Sequence, residues 1–140
     1  MMNDKEIKQQ KIILFDGVCN LCNGSVLFIL QHERSPEFKF ASVQSEKGKE
    51  LLSWCGLPAD YKRAVILIDH GKIYLGSTAA LKIGKTLSVP WSLLAQVGLI
   101  VPRFIRDAVY DQIAKHRYQW FGKRDICMVP NQNLKSRFYE

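Results

Sequence analysis

The chain has 140 residues, of which 47% are hydrophobic and 24% charged, and its formal net charge is +7. This length suits one domain with a single hydrophobic core, and the composition indicates neither a wholly disordered chain nor a membrane protein. The longest apolar run, 91–101, is shorter than the roughly 20 residues that cross a bilayer, so we expect no membrane insertion. Because 1–11 lacks the apolar stretch of a secretion signal, we also expect a cytoplasmic protein.

The first half of the chain alternates between predicted strands and predicted helices. Lys11–Phe15 is a short apolar run that predicts a strand buried on both faces. After Asp16, the apolar residues of 19–32 recur at intervals of three and four, which predicts an amphipathic helix. Alternating residues over 38–43 predict a second strand, and a short helix is expected over 45–54.

The second half begins with a predicted hairpin and continues with helices. The run 64–68 predicts a strand, and a tight turn at His70-Gly71 returns the chain as an antiparallel strand over Lys72–Leu75. Three helices are expected to follow, over 79–87, 91–100 and 102–120. The last of them carries apolar and aromatic residues near one face: Phe104, Ile105, Val109, Ile113 and Tyr118. The remaining tail predicts a loop.

These elements predict one α/β domain. We interpret 1–10 as a flexible N-terminal segment and 11–140 as the domain, in which 91–140 is a helical extension with a tail. A right-handed crossover places the first two strands in parallel, and the hairpin closes the sheet at its far edge. The order resembles the thioredoxin and glutaredoxin architecture, a mixed sheet of about four strands flanked by helices.

Cys19 and Cys22 stand at the predicted junction between the first strand and the first long helix. The thiolate is the nucleophile of disulfide exchange, and the backbone N–H groups at a helix start favour the anion. We therefore predict Cys19 as the exposed attacking thiolate, with a lowered pKa, and Cys22 as the more buried resolving thiol. Asp16 is either a base that accepts the Cys22 proton, with a pKa raised by burial, or a carboxylate that caps the turn.

Zinc binding is the structural alternative for the cysteines. A closed zinc site usually takes four ligands, commonly from two close pairs, whereas this chain has one C-x-x-C and two separate cysteines. Cys55 is typical of a buried small apolar residue, and Cys127 is either a packed tail residue or a third redox thiol. We predict neither a metal nor a cofactor.

The C-terminal region is basic, and only Asp107 and Asp111 oppose its positive charges. The basic residues are Arg103, Arg106, Lys115, Arg117, Lys123 and Arg124. A solvated helix face is the simpler interpretation. The alternative function is a redox-sensing binding module whose basic helices recognise an acidic protein, a nucleic acid or a membrane surface.

Three stretches together resemble the DCC family of predicted thiol–disulfide oxidoreductases. They are Asp16-x-x-Cys19-x-x-Cys22, the Gly-Ser-Thr-Ala-Ala of 76–80, and the Arg-Tyr-x-x-Phe-Gly of 117–122. The resemblance extends from Lys11 to about Phe138. It implies a thioredoxin-like fold and redox use of the pair, with Asp16, Cys19 and Cys22 as characteristic residues and Cys127 matching a recurrent tail cysteine.

The hairpin also resembles that of glutaredoxins, in which backbone groups and the N-terminus of the next helix bind the glycyl carboxylate of glutathione. Ser77 and Thr78 are therefore candidate substrate-binding residues, although helix capping is their more ordinary role. The resemblance to thioredoxins departs at Arg63-Ala64, which stands where they place a cis-proline. Arg63 is a candidate for lowering the Cys19 pKa, beside its simpler role as a solvated charge. The expected partner is a disulfide-containing protein or a small thiol such as glutathione, ahead of nucleic acid.

Overall fold

The computed structural model describes residues 4–17, 19–34, 38–58, 60–61, 64–89, 91–122 and 138–139. Its helices and strands, in chain order, are α1 (Asp4–Lys8), β1 (Lys11–Phe15), α2 (Asn20–His32), β2 (Phe38–Ser42), α3 (Glu46–Trp54), β3 (Ile66–Asp69), β4 (Lys72–Leu75), α4 (Gly76–Gly84), α5 (Trp91–Ile100), α6 (Arg103–Phe121) and β5 (Phe138–Tyr139).

The strands form one mixed sheet in the order β4-β3-β1-β2-β5. β1 pairs in parallel with β2 and antiparallel with β3, and the β3–β4 hairpin extends the sheet to its edge. The first four strands and their helices confirm the predicted thioredoxin-like α/β arrangement. β5 pairs in parallel with β2 and was not predicted, because a strand of two residues carries no periodicity.

Two apolar cores lie on opposite faces of the sheet, because successive side chains of β1 point to opposite faces. Ile12 and Leu14 pack in the core with α3, and Ile13 and Phe15 pack in the core with α2 and α4. Helix α1 contributes Ile7, 2% exposed, to the first of these cores. The segment expected to be flexible therefore contains a short helix with a buried residue.

Helix α4 begins three residues earlier than predicted. Gly76 adopts a φ of 62°, a left-handed conformation that glycine tolerates, and the chain passes directly from β4 into the helix. The N-cap residue is Leu75, without a side-chain capping bond. The prediction that Ser77 and Thr78 cap this helix was wrong, because both lie inside its first turn.

The helical extension packs on α4 through two glycines. A Cβ on Gly84 would lie 2.9 Å from the Cβ of Ala95, and one on Gly98 would lie 2.9 Å from Leu81, so glycine permits this close approach of α4 and α5. Helix α6 then contacts both α4 and α2. Among the described residues, none of the helices is long and apolar enough to cross a membrane.

Candidate redox site

Cys19 is the N-cap residue of α2. Its Sγ accepts a hydrogen bond from the backbone N–H of Cys22 at 3.4 Å, and the side-chain amide of Asn23 donates to the carbonyls of Gly17 and Cys19 at 2.8 and 3.0 Å. Both thiols are free. The strand–turn–helix junction thus places the two sulfur atoms one helical turn apart.

The exposure of the two thiols is the reverse of the prediction. Cys19 is fully buried, at 0% exposure, whereas Cys22 is partly exposed and lines a cavity. The physical reason lies in the cap, because the Cys19 sulfur turns back over the helix start to accept the Cys22 amide. Asn23 then ties down the backbone on both sides of that turn.

Cys22 is held as a thiol. Burial raises its pKa, and a hydrogen bond with Cys19 together with the nearby Cys19 charge raises it further, to about 12. The positive charge of Arg117 opposes this shift, and the negative charge of Asp16 adds to it. At neutral pH the Cys22 sulfur therefore carries its proton.

Asp16 is buried at 4% exposure and is surrounded by hydrogen-bond donors. The Gln44 amide donates to it at 2.6 Å, the Arg117 guanidinium at 3.1 Å, and the Tyr118 hydroxyl also donates to it. The expected burial of this carboxylate is present, while the N-cap position belongs to Cys19. Asp16 thus joins the end of β1 to the loop after β2 and to α6.

Among the described basic residues of 103–122, Arg117 departs most from a solvated face. It is 7% exposed and pairs with Asp16 across 101 positions of sequence. Burial by itself would lower its pKa, but hydrogen bonds with Tyr118 and Asp16 raise the pKa above its ordinary value. Its positive charge is therefore fixed near Cys22.

Gln44 and Tyr118 were not among the predicted site residues. The Gln44 carbonyl oxygen accepts from Gly17 N–H at 2.9 Å and from the Ser42 hydroxyl at 2.6 Å, while its amide holds Asp16. Burial and the bond to Asp16 raise the pKa of Tyr118 to about 12, so it remains a donor at neutral pH. The Arg-Tyr pair at 117–118 belongs to one of the stretches on which the family resemblance rests, whereas no sequence signal pointed to Gln44.

Ser77 already binds a carboxylate of its own chain. It is 6% exposed, and its hydroxyl donates to Asp107 of α6, which also pairs with Arg103 at 3.5 Å. Thr78 lies half-buried in the same helical turn. A glutathione carboxylate bound at Ser77 would have to displace Asp107.

Cys55 occupies a structural position at the end of a helix. Cys55 is the C-cap residue of α3, packs against the first core, and has a pKa raised to about 11 by burial. Arg63 and Cys127 lie outside the described residues. Within the described part of the chain, no group of three or more histidine, cysteine or carboxylate side chains could hold a metal ion.

A cavity of about 730 Å³ lies between one face of the sheet and the helices α2, α4, α5 and α6. It follows α2 from Cys22 to Ile29, a distance of roughly 10 Å at the rise of an α-helix. Its walls are mainly apolar, and Asp16 and Arg117 lie in them beside Cys22. The thiol pair thus has an apolar chamber next to it.

Comparison with known proteins agrees with this architecture. Residues 13–123 match the family described as DCC1-like thiol-disulfide oxidoreductase. The chain is 46% identical to the uncharacterized protein YuxK of Bacillus subtilis, over 91% of this chain and 93% of that protein. It is 42% identical to a chloroplastic DCC family protein of Arabidopsis thaliana, over 87% of this chain and 71% of that protein. No solved structure matches significantly. The chain therefore belongs to the DCC1-like thiol-disulfide oxidoreductase family.

Proposed function

We propose that this protein exchanges disulfides through a dithiol–disulfide couple formed by Cys19 and Cys22. The observation that carries the proposal is the helix cap, in which Cys19 Sγ accepts from the Cys22 N–H at 3.4 Å. Membership of the family supports a general redox role. A reducing compartment such as the cytoplasm would return the oxidised pair to the dithiol.

Access and protonation favour different cysteines as the attacking group. Cys22 is the more accessible, but burial and its interactions with Cys19 raise its pKa to about 12, so it carries its proton at neutral pH. Cys19 is buried, so its reaction requires local opening of the cap turn. Because the Cys19 sulfur lies at the N-terminus of α2 and accepts the Cys22 N–H, a position that favours a thiolate, we assign the attack to Cys19.

The proposed reaction proceeds in two exchanges. Cys19 attacks one sulfur of a substrate disulfide, the substrate S–S bond breaks, and its second sulfur leaves as a thiolate that takes up a proton. Cys22 then loses its proton and attacks Cys19, which forms the 19–22 disulfide and releases the second substrate thiol. Asp16 is the proposed acceptor of the Cys22 proton, positioned by Arg117, Tyr118 and Gln44.

Trapping of the mixed disulfide tests the assignment. With a chromogenic aryl disulfide, Cys22→Ser should accumulate one adduct on Cys19, located by peptide mass spectrometry, while Cys19→Ser should form none. Both variants should lose turnover, and Cys55→Ser, which removes a remote thiol, should keep it. Sustained turnover by Cys19→Ser, or a trapped adduct on Cys22 in that variant, would contradict the assignment.

The alternative function, a basic binding module, has less support. Arg117 faces inward and pairs with Asp16, so it does not contribute to a solvated basic face. Arg103, at the start of the same helix, is exposed but pairs with Asp107. We therefore place the redox function first.

A further inference from the structure

The apolar cavity beside Cys22 is larger than side-chain packing requires. Its volume of about 730 Å³ lies within the range of about 300–1,000 Å³ that is common for small-molecule sites. Five parts of the fold enclose it, namely the sheet and four helices, so it is a recessed chamber. Leu94 of α5 and Ile113 of α6 are 58% and 41% exposed and also line the chamber, which places them at its mouth.

The wall chemistry favours an uncharged occupant. Among the described lining residues, the charged ones are Asp16 and Arg117, and they pair with each other. The other lining side chains include Phe15, Phe28 and Trp91. A ligand with an ionised body would lose its hydration in this chamber without gaining a partner there.

The backbone near the cavity disfavours an extended peptide. A peptide that docks at a strand end needs backbone groups with which to pair. Val65, which lines the cavity just before β3, donates its N–H to the Tyr110 hydroxyl at 3.0 Å and accepts from Gly76 N–H at 3.1 Å. Both backbone groups are engaged within the protein, so an extended peptide finds no partner at Val65.

A glutathione-like ligand is also disfavoured, because Ser77 at the start of α4 already binds the Asp107 carboxylate. We propose that the cavity is the docking site for a low-molecular-weight disulfide with an uncharged apolar body, whose sulfur atoms lie at the Cys22 end of the cavity, where Cys19 reaches them when the cap turn opens. This inference rests on the proposed redox function and names its substrate class.

The reaction in the cavity is balanced without a further reagent. The ligand disulfide gains two electrons and becomes two thiols, while the dithiol loses two electrons and becomes the 19–22 disulfide. The two protons of the dithiol move to the two departing sulfur atoms.

The rate experiment compares two uncharged disulfides on the reduced full-length protein. Dipyridyl disulfide has an aromatic body, and hydroxyethyl disulfide is small and hydrophilic. Each rate is divided by the rate of the same disulfide with dithiothreitol, which removes intrinsic reactivity. We expect the corrected preference for dipyridyl disulfide to be about tenfold or more, as apolar pockets discriminate.

Two matched variants connect that preference to the cavity. Ile113 and Val109 are exposed apolar residues one turn apart on α6, at 41% and 57% exposure, but only Ile113 lines the cavity. Ile113→Asn should reduce the corrected preference several-fold, and Val109→Asn should leave it as in the wild type. Equal behaviour of the two variants overturns the proposal.

A binding experiment separates this inference from the proposed function. Dipyridylethane, in which two methylene groups replace the sulfur atoms, is titrated calorimetrically into the Cys19→Ser/Cys22→Ser protein with and without Ile113→Asn. Saturable binding that is lost with Ile113→Asn supports the cavity site, even if the wild type reduces no disulfide and the proposed function fails. Disulfide reduction by the wild type with no preference and no dipyridylethane binding overturns the cavity site alone.

Discussion

Two strand-to-helix junctions of the described chain, β1–α2 and β4–α4, interact with α6, and they do so in opposite ways. At the first, between β1 and α2, the junction supplies the carboxylate of Asp16 and α6 supplies Arg117. At the second, between β4 and α4, α6 supplies the carboxylate of Asp107 and the junction supplies the Ser77 hydroxyl. At the first junction the carboxylate is bound by other groups and the N-cap of α2 is Cys19, whereas at the second the carboxylate binds the first turn of α4.

This difference explains why one junction is suited to chemistry. At the first junction the donors of α6 and Gln44 engage Asp16, and the helix N-terminus is left to the sulfur of Cys19. At the second, the helix begins directly at Gly76 and its first turn is occupied by Asp107. A helix N-terminus favours anions in both places, so the resident groups decide which of the two is available.

The largest expected effect comes from removing the cation at the first junction. Arg117→Met leaves the Asp16 carboxylate buried without its ion pair, which should lower the free energy of unfolding by about 3–5 kcal/mol. The measurement is urea denaturation followed by circular dichroism. Disulfide turnover should fall as well, since Asp16 loses its positioning group.

The second junction supplies the matched control for that variant. Arg103 is also an α6 arginine paired with an aspartate, but its side chain is 77% exposed and the separation is 3.5 Å. Arg103→Met should lower the free energy of unfolding by less than about 1 kcal/mol. Similar losses in the two variants would show that the junctions do not differ as argued.

A second prediction concerns the hydrogen bonds that hold the turn around Cys19 closed. Asn23→Ala removes the two hydrogen bonds that tie Gly17 and Cys19, each worth about 1 kcal/mol, and so favours opening of the turn. Alkylation of Cys19 by iodoacetamide should become about tenfold faster, and Cys55 should keep its rate as an internal control. If Cys19 is alkylated at the same rate in both proteins, Asn23 does not control access to it.

The local features of the first junction could be predicted from sequence, because they depend on neighbours. The apolar run of β1, the change to helical period and the C-x-x-C predicted a strand, a helix and a thiol pair at the helix start. The hairpin before α4 was predicted on the same grounds. Each of these features is decided within a few residues of chain.

The rest of the site depends on contacts between distant parts of the chain. The apolar spacing of α6 identified a face that includes Phe104 and Val109, yet these side chains are 76% and 57% exposed, while Tyr110 and Arg117 pack inward. No periodicity reveals that an arginine pairs with an aspartate 101 positions away. The burial of Cys19 follows from the conformation of one turn, which spacing does not determine.

The smallest expected effect is the response to mildly alkaline pH, up to about pH 9, and it again distinguishes the two junctions because the first carries thiols. Burial and Cys19 raise the pKa of Cys22 from the ordinary 9.0 to about 12, so the unfolded chain loses this proton before the folded protein does. This stabilisation is complete at neutral pH, begins to fall as the pH approaches 9, and is lost progressively as the pH rises toward 12. Between neutral pH and about pH 9, the Cys22 titration should lower the free energy of unfolding by only about half a kcal/mol, measured as a shift in the urea midpoint.

Cys22→Ser should make the free energy of unfolding depend less steeply on pH in the alkaline range. Ser77→Ala should leave that pH dependence unchanged, because a hydroxyl does not titrate in this range. An equal slope in wild type and Cys22→Ser would show that the raised Cys22 pKa does not contribute to the stability of the fold.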